Sequence, residues 1–153
     1  MNHLLVVAIT FIAVVGEANA QSSEENAVMA ANNAFYTGLS SGYADMDKLW
    51  ANKDYVAFAG PRHTTPLIGW SAIEPYFKQR SQAVGSLKVK PADVHVRVNG
   101  NSAWIISREI VEEGAKMKDG TPISSRPTIS TNIFEKTDGK WLMVAHHAQE
   151  PSQ

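Results

Sequence analysis

The chain predicts an α+β domain in which a curved antiparallel sheet wraps around helices and encloses a cone-shaped cavity. Three observations predict it. Apolar residues recur at three- and four-residue steps through the N-terminal half, long β-rich stretches fill the C-terminal half, and Asn-Gly or Asp-Gly pairs punctuate that second half. Helices and strands are therefore segregated along the chain rather than alternating, which is the mark of an α+β layout.

The elements follow in order. Gln21 to Glu25 is polar and predicts a frayed start. Over Asn26 to Leu39, residues Val28, Ala31, Phe35 and Leu39 form one apolar stripe, an amphipathic helix closed by Gly38 to Gly42. A short second helix starts at Asp45, with Met46, Leu49 and Trp50 on its apolar side. Tyr55-Val56-Ala57-Phe58-Ala59 then reads as a first strand and stops at Gly60-Pro61, leading into a loop that holds Arg62 and His63. A third helix begins at Gly69 to Glu74, with Ser71 as its expected N-cap, Glu74 completing a capping box, and Pro75 still within the first turn. Beyond Gly85 four long strands are expected, over Leu87 to Val98, Ala103 to Glu113, Ile123 to Lys136 and Lys140 to Ala148. Asn99-Gly100, Asp119-Gly120 and Asp138-Gly139 supply the positive backbone dihedrals of their turns.

The N-terminus stands apart. Leu4 to Val15 is an almost unbroken apolar run, short for a bilayer span, and Ala18-Asn19-Ala20 puts small residues where a signal peptidase cuts. Residues 1–20 are therefore expected to be a signal peptide cleaved after Ala20, an uncleaved membrane anchor being the alternative. The mature protein, residues 21–153, would be a single domain, secreted or periplasmic, with no stable membrane association. The chain has 14 basic and 15 acidic residues, and loss of Glu17 with the leader makes the two counts equal. No long-range field then favours nucleic acid or an anionic membrane. With no cysteine, disulfides, thiol nucleophiles and thiolate metal sites are all excluded.

Leu49-Trp50-Ala51-Asn52, Gly69-x-x-Ala72-Ile73 and Asp138-Gly139-Lys140-Trp141, in this helical and strand order, resemble a SnoaL-like member of the nuclear transport factor 2-like superfamily. The last stretch is also similar to the association domain of calcium/calmodulin-dependent protein kinase II. The resemblance implies the cone fold, and a scaffold that hosts isomerases, cyclases, dehydratases, hydrolases and assembly modules alike. It also implies a test of activity. The catalytic base of the ketosteroid isomerase relatives falls at Phe58, their first-helix tyrosine at Phe35, and their protonated aspartate at Thr131 or Asn132, so none of the three groups is retained. Of the kinase domain's pocket residues, the histidine falls near Ile73 and two arginines near Asn132 and Ala148, and Arg108 alone can match.

The ligand-binding candidates are His63, Arg108, Arg126, Asn132 and His146. His146 and His147 are adjacent, so on a strand they face opposite sides. The resemblance puts His146 in the cavity with Leu142, Val144 and Ala148, and His147 on the outer surface with Trp141 and Met143. Arg108 sits amid apolar residues, Trp104 to Ile110, so it either clamps an anion or pairs with Asp54, Asp93 or Glu112. Glu109 then points away, and with Glu112, Glu113, Lys116 and Lys118 it reads as a solvated hairpin end. Arg126 pairs or binds similarly, and His63 lies on a loop at the cone's mouth. Tyr36, Phe58 and Tyr76 are among the aromatics expected to line the interior. No histidine has a metal-ligand partner at helical spacing, and neither a metal nor a cofactor is expected.

The sequence leaves three functions open. One is an exported protein binding a small apolar or anionic molecule without chemistry. The second is a cofactor-free isomerase, cyclase or dehydratase with His63 or His146 as proton shuttle. The third, compatible with both, is assembly, expected as a homodimer through the outer sheet face around Trp104 or Trp141.

Overall fold

The structure, a computed structural model, describes residues 13–151. In chain order it consists of α1 (Ala13–Ser40), α2 (Met46–Leu49), β1 (Ala57–Ala59), β2 (Leu67–Ile68), α3 (Trp70–Ala83), β3 (Val84–Ser86), β4 (Val89–Asn99), β5 (Ser102–Val111), β6 (Lys116–Met117), β7 (Thr128–Thr137) and β8 (Lys140–Gln149). One sheet runs in the order β2-β1-β8-β7-β5-β4, and β3 with β6 makes a small second one. The large sheet is curved and open, and α1 packs across its concave side onto β4 and β8. This is the α+β layout predicted from the sequence. Of the expected leader, residues 1–12 lie outside the described residues. Among the described residues no helix is long and apolar enough to cross a membrane.

Local chemistry explains where the elements differ from expectation. Gln21 to Glu25 is helical rather than frayed, because it is tied to the sheet: the Gln21 amide donates to the Val98 carbonyl at 3.3 Å, and the Glu24 carboxylate accepts from Lys136 Nζ at 2.7 Å and Trp141 Nε1 at 2.9 Å. Helix α3 is capped by Gly69 rather than Ser71, with no side-chain capping bond, and Pro75 falls in the second turn, where it leaves the Ser71 carbonyl without its helical donor. The strand β1 lies parallel to β8, through pairs such as Phe58 with His146, so the sheet is not wholly antiparallel. The β3–β6 pair was not visible as strands. Gly85 permits it, since a Cβ there would meet the Met117 carbonyl oxygen at 2.9 Å. The Asp138-Gly139 turn joins β7 to β8 with φ of 50° and 77°, the left-handed pair that a two-residue hairpin requires.

A bulge in β8 sets which residues face inward. On β7 the inner face is Thr128, Ser130, Asn132 and Phe134 throughout. Asn132 pairs with His146 and Ile133 with Ala145, but Phe134 pairs with Met143, so Val144 is an extra residue. Trp141 and Met143 therefore face inward before the bulge, and His146 and Ala148 after it. This corrects the strict alternation expected from the sequence, which placed Trp141 and Met143 outside. Trp141 is 7 % exposed and belongs to the core.

That core centres on Trp50, whose ring meets Phe35, Phe58, Trp70 and Phe77 at centroid separations of 6.3, 6.2, 6.4 and 5.8 Å. Its Nε1 is buried without a partner among the described residues. On the convex face the sheet exposes Trp104, Ile106, Ile129 and Ile133.

Candidate functional site

The aromatic cluster stops short of filling the cone. A cavity of about 430 Å³ remains between α1, α3, the large sheet and the Lys118–Pro127 connection, a size in the lower part of the range for small-molecule sites. Leu39, Phe58, Tyr76 and Val89 give it apolar walls, while Arg62, Asp119, Arg126 and Glu150 stand at its mouth. Glu109, Thr128 and His146 form its buried floor.

That floor belongs to a connected set of buried polar groups. From α1, Asn32 and Tyr36 occupy the apolar stripe four residues apart, so both point at the sheet. From the sheet, Ser107 and Glu109 on β5 and Thr128, Ser130 and Asn132 on β7 point back. Tyr36 Oη donates to Glu109 Oε1 at 3.0 Å, and Thr128 Oγ1 donates to Glu109 Oε2 at 3.0 Å. Asn132 Nδ2 donates to Asn32 Oδ1 at 2.7 Å and to Tyr36 Oη at 3.3 Å. Ser130 Oγ lies 3.2 Å from Tyr36 Oη and 3.0 Å from Ser107 Oγ. Buried polar groups are stable only when paired in this way.

His146 completes the set. With its amide nitrogen committed to Asn32, Asn132 presents Oδ1 to His146 Nδ1 at 2.7 Å, and an acceptor there requires Nδ1 to carry the proton. The lone pair of the neutral ring is thereby on Nε2, which lies 3.8 Å from Glu109 Oε1. That gap is too long for a hydrogen bond and short enough for strong electrostatic coupling. The ring stacks on Phe58 and tilts against Phe35, each at a centroid distance of 5.1 Å. Burial pulls the imidazole pKa below its ordinary value, with Glu109 acting in the opposite direction and His147 and His63 adding to the decrease. Near neutral pH His146 is an uncharged base with a fixed tautomer, and Glu109 is placed to stabilise the imidazolium formed when Nε2 takes a proton. Burial also pushes the Tyr36 phenol well up, so it stays a donor, and raises Tyr76 to about 12.

Of the five residues singled out in the sequence, the structure brings two to the cavity wall and a third directly behind it. His146 is on its floor, Asn132 directly behind it, and Arg126 at its mouth, 3.2 Å from Glu150. His63 is at the edge, its ring against Phe58 and Tyr76 at 5.4 and 5.0 Å. Burial and the nearby Arg80 charge lower its pKa. Arg108 is not in the cavity: it lies on the convex face and pairs with Asp93 at 2.6 Å. The inward residue is its neighbour Glu109, which corrects the expectation of a solvated carboxylate. The misreading arose because Trp104 and Ile106 look like core, yet they share the outer face with Arg108, while Ala103, Ile105, Ser107 and Glu109 face in. Sequence reasoning missed Glu109, Asn32, Ser107, Thr128 and Ser130 as site residues, and expected Tyr36 only as an interior aromatic. The polar alternation Thr128-x-Ser130-x-Asn132 was a signal that could have found the inner stripe. Among the described residues no cluster of three histidine or acidic side chains could hold a metal ion.

The SnoaL-like domain family model matches residues 28–149, which spans every element lining the cavity. The chain belongs to the SnoaL-like domain family. Solved structures share the cone. A nuclear transport factor 2-like family protein from Streptomyces avermitilis, with dehydratase as its suggested activity, superposes with a TM-score of 0.73 at 23% identity, covering 86% of this chain and 99% of that one. A nuclear transport factor 2-like superfamily protein from Salmonella enterica serovar Typhimurium gives 0.73 at 18% identity, over 86% and 94%. A candidate calcium/calmodulin-dependent protein kinase type II association domain from Thiobacillus denitrificans gives 0.66 at 24% identity, over 81% and 94%. At these identities the likeness concerns the fold. No curated protein matches the chain.

Proposed function

We propose that this SnoaL-like protein catalyses proton transfer on a small, mostly apolar molecule held in the cavity, with His146 as the group that moves the proton and Glu109 as its electrostatic partner. The observation that carries the reading is the pairing on the floor: Nε2 of a neutral, tautomer-fixed imidazole 3.8 Å from a buried carboxylate oxygen. Isomerisation, cyclisation and dehydration all need such a base beside an apolar pocket. In a dehydration, Nε2 would take a carbon-bound proton and the imidazolium would return it to the departing hydroxide, forming a double bond and water. The suggested activity of the Streptomyces relative is consistent with this class.

A second reading, binding without chemistry, is supported by a different observation: both Glu109 oxygens already accept hydroxyl hydrogens, from Tyr36 and Thr128. One experiment separates the two. Native mass spectrometry of protein isolated from its host identifies a co-purifying compound, which is then incubated with the protein in deuterium oxide. Catalysis predicts deuterium at a carbon of that compound or its conversion, lost in His146→Gln while binding persists. A bound compound that neither exchanges nor converts rejects the catalytic reading.

We infer two further properties. The apolar convex face around Trp104, Ile106, Ile129 and Ile133 suits a homodimer, because such a surface is costly to leave in water. Residues 1–20 read as an export leader, which would place the mature protein in the periplasm or outside the cell, and N-terminal sequencing of the native protein tests the cut after Ala20.

A further inference from the structure

Helix α3 turns one stripe toward the interior: Ile73, Tyr76, Phe77 and Arg80, at steps of three, one and three. The first three are apolar or aromatic. Arg80 is a half-buried cation lining the same cavity as His146 and Glu109. Its contacts are unusually weak for a guanidinium. Nε donates to Tyr43 Oη at 3.4 Å and Nη1 approaches Met117 Sδ at 3.8 Å, both neutral partners. Among the described residues, no carboxylate lies within ion-pair distance of it and no backbone carbonyl accepts from it.

The acids around the cavity cannot supply the missing partner, because each is engaged elsewhere. Glu150 pairs with Arg126, Asp119 accepts from the Thr121 amide at 2.9 Å, and Glu109 accepts from Tyr36 and Thr128. A guanidinium has five donors, and its planar fork matches the two oxygens of a carboxylate. Partial removal from water makes an unpaired charge costly and its pairing correspondingly favourable.

We propose that Arg80 is the recognition element for a carboxylate on the ligand, so that the cavity selects small monoanionic acids with an apolar body. This rests on the reading of the cavity as a ligand site. The carboxylate sits against the free edge of the guanidinium, the body lies along Tyr76 and Phe58, and the remainder reaches toward His146. The part of the ligand that reaches inward carries no second negative charge, because it would face Glu109 there.

The test compares 2-naphthoate with 2-naphthamide, which share shape and differ in charge, by ligand-observed NMR titration of the intact protein. A charge-assisted pair predicts that the acid binds about tenfold or more tightly than the amide. In R80Q that ratio falls to near one, and in R80K, which keeps charge without the fork, it is intermediate. The preference in the native protein also shrinks as sodium chloride rises from about 50 to about 500 mM. Equal binding of acid and amide, no binding of either at millimolar concentration, or an undiminished preference in folded R80Q would overturn the proposal. Where R80Q does not fold, the R80K ratio and the salt response decide, and their constancy overturns it equally. The readout is binding alone, so a failed deuterium-exchange experiment rejects catalysis without touching this ratio.

Discussion

Asn132→Ala is the most informative perturbation of the interior. The side chain holds two groups that have no other hydrogen-bond partner among the described residues: Asn32 Oδ1, which accepts from its Nδ2 at 2.7 Å, and His146 Nδ1, which meets its Oδ1 at 2.7 Å. Tyr36 loses only its weakest contact and keeps Glu109 and Ser130. Each buried orphan costs about 1–3 kcal/mol. With a contribution on the order of 1 kcal/mol for the space left behind, the expected loss is about 3–7 kcal/mol, a large fraction of a typical domain's stability. Equilibrium urea unfolding followed by tryptophan fluorescence measures it, with the slope m unchanged. Asn132→Asp should lose much less, because Asn32 can turn its amide to donate to the carboxylate. It should also move the His146 titration upward in NMR, since an adjacent negative charge favours imidazolium. A loss below about 1 kcal/mol in Asn132→Ala would refute the central place given to this residue.

Other outcomes follow from the same geometry. Because burial lowers the His146 pKa below the ordinary 6.5, the unfolded chain binds a proton that the folded chain does not once the pH drops below that value. Stability should fall from pH 6.5 toward about 5, at no more than about 1.4 kcal/mol per pH unit from this group, and be insensitive to it above 6.5. Urea titrations should show a shallower fall in His146→Gln, and identical slopes would contradict the assignment. Gly85→Ala forces the β3 and β6 backbones apart and should cost about 1–3 kcal/mol, read as a lower melting temperature. Trp104→Glu should convert a dimer to a monomer in sedimentation velocity, and a wild-type protein that sediments as a monomer would reject the proposed interface.

The fold was legible because it rests on patterns that single stretches display. The stripe from Val28 to Leu39 and the turns at Asn99-Gly100 and Asp138-Gly139 are local signals, and they are enough to place α1 and the long hairpins. The site was legible only in part. His146 was placed correctly, but the route to it assumed unbroken alternation, which the Val144 bulge violates. Arg108 was chosen over Glu109 because apolar neighbours were equated with the interior, whereas Trp104, Ile106 and Ile129 lie on the exposed face of the sheet. Asn32 lies within a helical stripe that periodicity marks by its apolar members, and its role depends on Asn132, a hundred positions away, a pairing that no local pattern encodes. No local pattern marks Arg80, which becomes a wall of the cavity only once α3 and the loops close around it.

The extra residue at Val144 works like a frameshift written into a strand. Two imidazoles stand side by side at 146 and 147, and the uptake of Val144 as a bulge rather than as a regular strand position decides which one is inside. Running the same residues as an unbroken strand would turn His147 inward and leave His146 in solvent, whereas removing Val144 outright would restore plain alternation with Trp141, Met143, His146 and Ala148 still inside. Homologues differing in length in that segment should therefore be compared by position in space rather than by letter.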